Sequence, residues 1–300
     1  MATLPNDMNM KRKIGIVSHS RRVERGEQKI NRLLPNRHVN AIGPFVLLEQ
    51  ILPNNHSPYE PVKVANGAGA QPHRGIAILT YVLNGKAEHF DSAGNHAKVR
   101  TGGIHWTKAG NGIIKDEVLT VDSHGNDLLT HAFKFWINLP SVEKATPPEY
   151  LPVQANEVPK QILNNDAGWL KVIAGEYLNH VSKIPALTRQ FLFHIHLNGR
   201  QDFSINTNPE WSYAAFLPLD KATVNNSEFQ VGDFLLFEKG PGIIEMVANT
   251  PTPGDIILFG GEPIAESFVV YGPFVMNTMQ EIAVAYADFH EGKYGQINYK

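Results

Sequence analysis

Two short segments decide how this chain reads: Gln71-Pro72-His73-Arg74-Gly75 and Gly112-Ile113-Ile114-Lys115-Asp116-Glu117. Each carries a pair of functional side chains two residues apart, a spacing that on a β-strand points both the same way. Two such strands facing one cavity would bring Gln71, His73, Lys115 and Glu117 to one point, which is how a β-barrel builds a metal site. His73 and Glu117 are good ligands. The amide of Gln71 is a weak one for metals that prefer imidazole, and Lys115 is a cation at neutral pH unless strongly perturbed.

Around these segments the dominant pattern is short apolar runs separated by Gly, Pro and Asn clusters, which predicts an all-β fold of barrel or sandwich type. Residues 76–83 (IAILTYVL) read as a strand ending at a hairpin-type turn, Asn84-Gly85, with 86–91 returning from it. Ser92-Ala93-Gly94-Asn95 turns again, 104–107 is strand-like, and 129–139 is expected to complete a sheet edge. Five prolines (140, 147, 148, 152 and 159) mark 140–159 as the best linker candidate. A second β-rich region follows, and the clearest helix comes last. Thr278-Met279-Gln280-Glu281 is a capping box, Ile282, Ala285, Tyr286 and Phe289 share a face, and Gly292 and Gly295 lie at the expected stop. The predicted division is an N-terminal module over 1–145, a linker over 146–165, and a C-terminal module over 166–300 with its helix at about 278–292.

Bulk properties remove several function classes. The chain has 300 residues, 42% hydrophobic and 19% charged, with 27 Lys+Arg against 29 Asp+Glu for a net charge of −2. That balance gives no electrostatic argument for nucleic acid or an anionic membrane. With no cysteine, disulfides, thiolate zinc sites, iron–sulfur clusters and cysteine nucleophiles are excluded. No apolar run reaches bilayer-spanning length, and residues 1–13 lack the apolar core of a signal peptide; a cytoplasmic protein is expected. Neither a nucleophile elbow nor a dinucleotide fingerprint is present.

Several longer motifs resemble the pirin family in order and spacing. They are Pro72-His73-Arg74-Gly75, Glu88-His89-Phe90-Asp91-Ser92, the run from Trp106 to Gly112, Trp136-Ile137-Asn138-Leu139-Pro140, Thr146-Pro147-Pro148, and the run from Gly272 to Thr278. The resemblance covers most of the chain and is weakest over 170–248. It implies a bicupin, two cupin-type β-barrel modules with a C-terminal helix. It further implies an iron-type metal in the N-terminal module held by three histidines and one glutamate, flavonol (quercetin) dioxygenase activity in some members, and a redox-sensitive transcriptional cofactor role in the animal protein. Carried over by position, the second histidine is His73 and the glutamate is Glu117. Gln71 and Lys115 stand where the other two histidines are expected, so half the metal shell is replaced.

The expectation is therefore a polar cluster of Gln71, His73, Lys115 and Glu117 lining a ligand pocket, with Lys115 as counter-ion to Glu117 and no tightly bound cofactor. A non-catalytic or catalytically altered small-molecule-binding or regulatory protein follows. The alternative is a quercetin 2,3-dioxygenase-type enzyme in which His73 and Glu117, with Gln71 and water, hold one divalent ion (Fe, Ni, Cu, Mn or Zn) and Glu117 is the catalytic base. A protein partner is a third reading, by family analogy alone. His89 and His105 read as structural, Trp106 and Trp136 as buried aromatic core. His194-Ile195-His196 has ligand spacing but no matching downstream pair, and its histidines are expected to face the barrel cavity or solvent.

Overall fold

Glycine-closed runs of β-branched and aromatic residues form strands along almost the whole chain. The computed structural model describes residues 10–25, 28–57, 63–122, 128–248 and 250–300. They form two compact units. One comprises residues 22–35, 45–158 and 264–300; the other comprises 1–21, 36–44 and 159–263. The two units do not follow the division predicted from the sequence. The first strand, Ile14–His19, pairs with Asp233–Phe237 in the second unit, while the C-terminal helix belongs to the first.

The first unit opposes a seven-stranded and a four-stranded sheet. The larger runs Glu149–Val153, Ile104–Lys108, Ile76–Asn84, Leu129–Asn138, Phe45–Asn55, Gln28–Leu34 and Arg21–Arg25; the smaller runs Gln71–His73, Ile113–Thr120, Lys86–Asp91 and His96–Arg100. Three expectations change here. The turn at Gly85 is not a hairpin: Ile76–Asn84 and Lys86–Asp91 lie in different sheets, and Gly85, at φ +94°, turns the chain from one to the other. The true hairpin is Lys86–Asp91 with His96–Arg100. Leu129–Asn138 is an inner strand paired on both sides.

The proline-rich segment is the third. Glu149–Val153 pairs along its length with Ile104–Lys108, so this stretch is an edge strand and not a free linker. Pro152 is tolerated there because an edge strand can leave one side of its backbone unpaired.

The second unit opposes a seven-stranded and a four-stranded sheet of its own. Its interior is apolar: Leu170, Val172, Phe193, Ile195 and Leu258 from one sheet meet Ile205, Val224, Ile244 and Met246 from the other. The C-terminal helix, Met279–His290, forms as its capping box predicts: Thr278 Oγ1 accepts from the Glu281 N–H at 3.2 Å, and a Glu281 carboxylate oxygen accepts from the Thr278 N–H at 2.9 Å. Ile282, Ala285, Tyr286 and Phe289 pack with Phe274, Met276 and Tyr294.

Gly75 is where the two ends of the first unit meet. Its φ is +78°, and a Cβ there would lie 2.0 Å from the Val275 carbonyl oxygen. Gly94, at φ +88°, has nothing within 4 Å of the same position. Gly75→Ala is therefore expected to cost at least about 2 kcal/mol from clash and strain together, while Gly94→Ala costs about 1 kcal/mol from backbone strain alone. Urea denaturation of both variants measures the difference, and equal losses would remove the close-approach argument.

Candidate functional site

The site is assembled by strand register. Lys115 sits opposite Gln71 on one side and Asp91 on the other, and Glu117 sits opposite His89. Residues directly opposite in an antiparallel ladder share a face. Gln71, His73, Lys115, Glu117, His89 and Asp91 therefore all project from one face of the four-stranded sheet. The opposing sheet contributes Thr80, His105 and Lys134, which share one cross-strand row.

Glu117 is the centre. Its side chain is 6% exposed and that of Lys115 is 4% exposed, with Lys115 Nζ 3.0 Å from Glu117 Oε2. The other carboxylate oxygen, Oε1, accepts from the Thr80 hydroxyl at 2.8 Å and lies 3.6 Å from Lys134 Nζ. Burial pushes the Glu117 carboxyl up, but Lys115, Lys134 and the nearby imidazoles outweigh it and hold it well below the usual range. Burial pulls Lys115 below its ordinary value, and Glu117 only partly restores it.

His73 is 4% exposed. Its Nδ1–H donates to the Pro273 carbonyl at 3.3 Å, which leaves Nε2 with the lone pair, and its ring meets Trp136 edge-on at 5.5 Å. Burial, then Lys115 and Lys134, bring its pKa down to about 3. The Gln71 side chain is half-buried.

A second network adjoins Glu117. His89 Nε2–H donates to Asp91 at 2.9 Å, His105 Nε2–H donates to the Ala87 carbonyl at 3.0 Å, and the Tyr150 hydroxyl donates to His105 Nδ1 at 2.7 Å. Tyr150 stacks on His89 at 4.1 Å. Burial first, with Glu117 and Asp91 adding to it, raises the Tyr150 hydroxyl and keeps it a donor. His105 is thus satisfied at both nitrogens, while His89 Nδ1, Thr107 Oγ1 and Trp136 Nε1 are buried without a hydrogen-bond partner among the described residues. Trp106 is core, 1% exposed. Trp136 is half-buried and flanks the site.

Thr80, Lys134, Asp91 and Tyr150 were not singled out by the sequence reading. The available signal was phase. Thr80 interrupts the apolar strand IAILTYVL and Lys134 the apolar run AFKFWI, and in such surroundings a polar side chain needs a partner.

The residues do not fit a shell of three histidines and one glutamate. Both carboxylate oxygens of Glu117 are engaged by protein donors. An ion there would also face the Lys115 and Lys134 ammonium groups, each opposing a dication by roughly 8 kcal/mol gross at 4 Å and an effective dielectric near 20.

In the second unit, His194 and His196 face away from the apolar interior. Both donate to Asp255 Oδ1 at 2.9 Å, and the Trp169 ring stacks on His196. Asp255, opposite His196 in the sheet, holds both; His196 keeps partial contact with solvent at 23% exposure, whereas His194 is buried.

With this geometry in place, comparison with known proteins is decisive. The pirin family model matches residues 25–137, and the pirin C-terminal cupin domain matches 192–295. The chain belongs to the pirin family. It is 30% identical to Pirin-1 of Arabidopsis thaliana over 260 residues, 85% of this chain and 84% of that protein. It is 27% identical to human pirin over 271 residues, 89% and 88% of the respective chains. The solved structure of a quercetin 2,3-dioxygenase from Acinetobacter baumannii superposes with a TM-score of 0.86 at 26% identity, covering 96% of this chain and all of that one. The fold is the all-β bicupin that the pirin resemblance implied. Relatives of quercetin dioxygenase type suggest a divalent metal in a cupin domain of the family. Among the described residues, no helix is long and apolar enough to cross a membrane.

Two predictions follow from the buried groups. Lys115→Met leaves Glu117 without its nearest cation and is expected to destabilise by about 3 kcal/mol. Lys115→Met with Glu117→Gln should recover most of that loss in a double-mutant cycle read by urea denaturation. For pH, an unfolded histidine protonates near 6.5 while folded His73 resists protonation down to about 3. Its contribution is therefore complete above pH 6.5 and is lost as pH falls through that window. Denaturation midpoints should decline below pH 6.5, and His73→Leu should flatten the decline between pH 6.5 and 5; an unchanged slope would show that His73 is not buried as a neutral ring.

Proposed function

We propose that this pirin-family bicupin has a binding or regulatory role in which the N-terminal site works without a tightly held metal. The reading is carried by one observation: the Lys115 ammonium lies 3.0 Å from Glu117, both groups almost wholly buried. A carboxylate removed from water needs a compensating charge. In the metal-bound arrangement implied by the family motif, an ion would supply it; here Lys115 and Lys134 do. Glu117, already hydrogen-bonded and ionised, then serves to orient Lys115, Lys134 and Thr80 as donors. The unpartnered atoms of His89, Thr107 and Trp136 support a small polar molecule as occupant of the same interior.

The second reading, a metal-dependent quercetin 2,3-dioxygenase, is favoured by the similarity to the Acinetobacter baumannii structure. It assigns His73 and Glu117 as ligands and Glu117 as the base. A regulatory protein partner is compatible with either reading.

Elemental analysis of protein purified without chelator separates the two. Metal well below one equivalent, with no oxygen uptake on quercetin, is the expected result. Near-stoichiometric iron, nickel, copper, manganese or zinc with quercetin turnover would sink the metal-free reading. Gln71→His combined with Lys115→His is expected to gain metal uptake, because it restores the two missing imidazoles.

A further inference from the structure

We propose that the second unit carries a binding site of its own, for a flat, uncharged aromatic molecule with hydroxyl groups on its rim. The second unit holds a cavity of about 360 Å³, within the size range of small-molecule sites. Its floor is Phe191, Phe193 and Tyr213, each no more than 5% exposed, and its walls include the partly buried Tyr177 and Trp211. Phe191 lies 5.1 Å from Phe193, 4.8 Å from Tyr213 and 6.2 Å from Trp211, the last nearly parallel; Tyr177 stands edge-on to Phe193 at 5.8 Å. Aromatic faces so arranged accept another flat ring by stacking and edge contacts.

An aromatic lining alone would be ordinary core. Free polar groups at the rim distinguish this one. Tyr177 and Trp211 line the cavity, and neither the Tyr177 hydroxyl nor the Trp211 indole N–H has a side-chain hydrogen bond among the described residues. Burial alone raises the Tyr177 hydroxyl. Between them these groups can donate to and accept from a ring hydroxyl. Glu176 is the one Asp, Glu, Lys or Arg lining the cavity, and its carboxylate selects against an anion.

The walls are held in place. Behind Tyr213 the Arg12 guanidinium lies 4.5 Å from the ring centroid and donates to the Trp211 carbonyl at 2.7 Å. On the lip, the hairpin pairing Tyr177 with His180 turns through Leu178, which is 71% exposed and sits at φ +51°. A non-glycine residue held in the left-handed region stores backbone strain of the kind that clusters at ligand clamps.

The test uses 2-naphthol as probe, with calorimetry on the full chain. Saturable single-site binding is expected, weakened about tenfold or more by Trp211→Ala through loss of the stacking wall. The anion 2-naphthoate and the saturated analogue decalin-2-ol should each bind at least about tenfold more weakly, and Glu176→Lys, at an exposed position, should narrow the 2-naphthoate gap several-fold. Absence of saturable binding, equal binding of decalin-2-ol, or full binding by a folded Trp211→Ala would overturn the proposal. If Trp211→Ala does not fold, the analogue comparison and Glu176→Lys decide it.

Discussion

The interior of the first unit is organised by one demand: an ionised carboxylate, Glu117, is sealed between two sheets. Desolvation of such a group costs several kcal/mol unless charge and hydrogen bonds compensate. The compensation comes from both sides. Lys115 reaches it from the same strand, while Thr80 and Lys134 reach it from the opposing sheet. The polar row of that sheet continues to Glu49, opposite Lys134, and to Arg32, whose Nε donates to Glu49 at 3.0 Å. The sheets are thus joined by charge where the second unit joins its own by apolar contact. Such a polar core gains specificity at the expense of tolerance, since removing one member strands the others.

A second constraint ties together segments about two hundred residues apart in sequence. The Val275 N–H donates to the Arg74 carbonyl at 3.1 Å, His73 donates to Pro273, and Arg74 Nη1 meets Asp288 at 2.6 Å. Gly112 is pressed against the Tyr294 ring, which a Cβ would meet at 2.1 Å. The glycines of the 71–75 and 112–117 segments therefore serve the approach of the C-terminal segment as much as the turns they end. The same packing that seats the helix also fixes the ring tautomer of His73, so helix and site are mechanically one object.

Much of this was legible in residues. Period-2 spacing put Gln71 with His73 and Lys115 with Glu117 on shared faces, and the register confirms that these faces coincide. The capping box and apolar face gave the helix almost to the residue. The crossing of the chain between units was not legible, because strand pairing between Ile14–His19 and Asp233–Phe237 leaves no local signature; both are short apolar runs that would suit many neighbours. The Gly85 corner misled for a related reason: a positive-φ glycine marks a change of direction, and whether the chain returns in the same sheet or enters another depends on contacts such as Gly85 N–H with Thr101. Pro152 misled because proline density marks edge strands as well as linkers. Lys134 and Thr80 stand out as polar interruptions of apolar runs, but their partner Glu117 was not legible, since it lies on another sheet.

The exchange of terminal segments sets an order of events during synthesis. Ile14–His19 is made about two hundred residues before its partner strand, Asp233–Phe237. The first unit in turn lacks the Phe274–Met276 strand and the helix until more than a hundred residues of the second unit have been made. The second unit cannot complete its larger sheet before residues 233–237 exist, nor the first its helix packing before residues 274–290 do, so both present unpaired edges in the interval, a state prone to wrong pairing. Cutting the molecule at its apparent midpoint would likewise yield two fragments, each missing a piece carried by the other. The two cupins are duplicate in architecture but indivisible in manufacture.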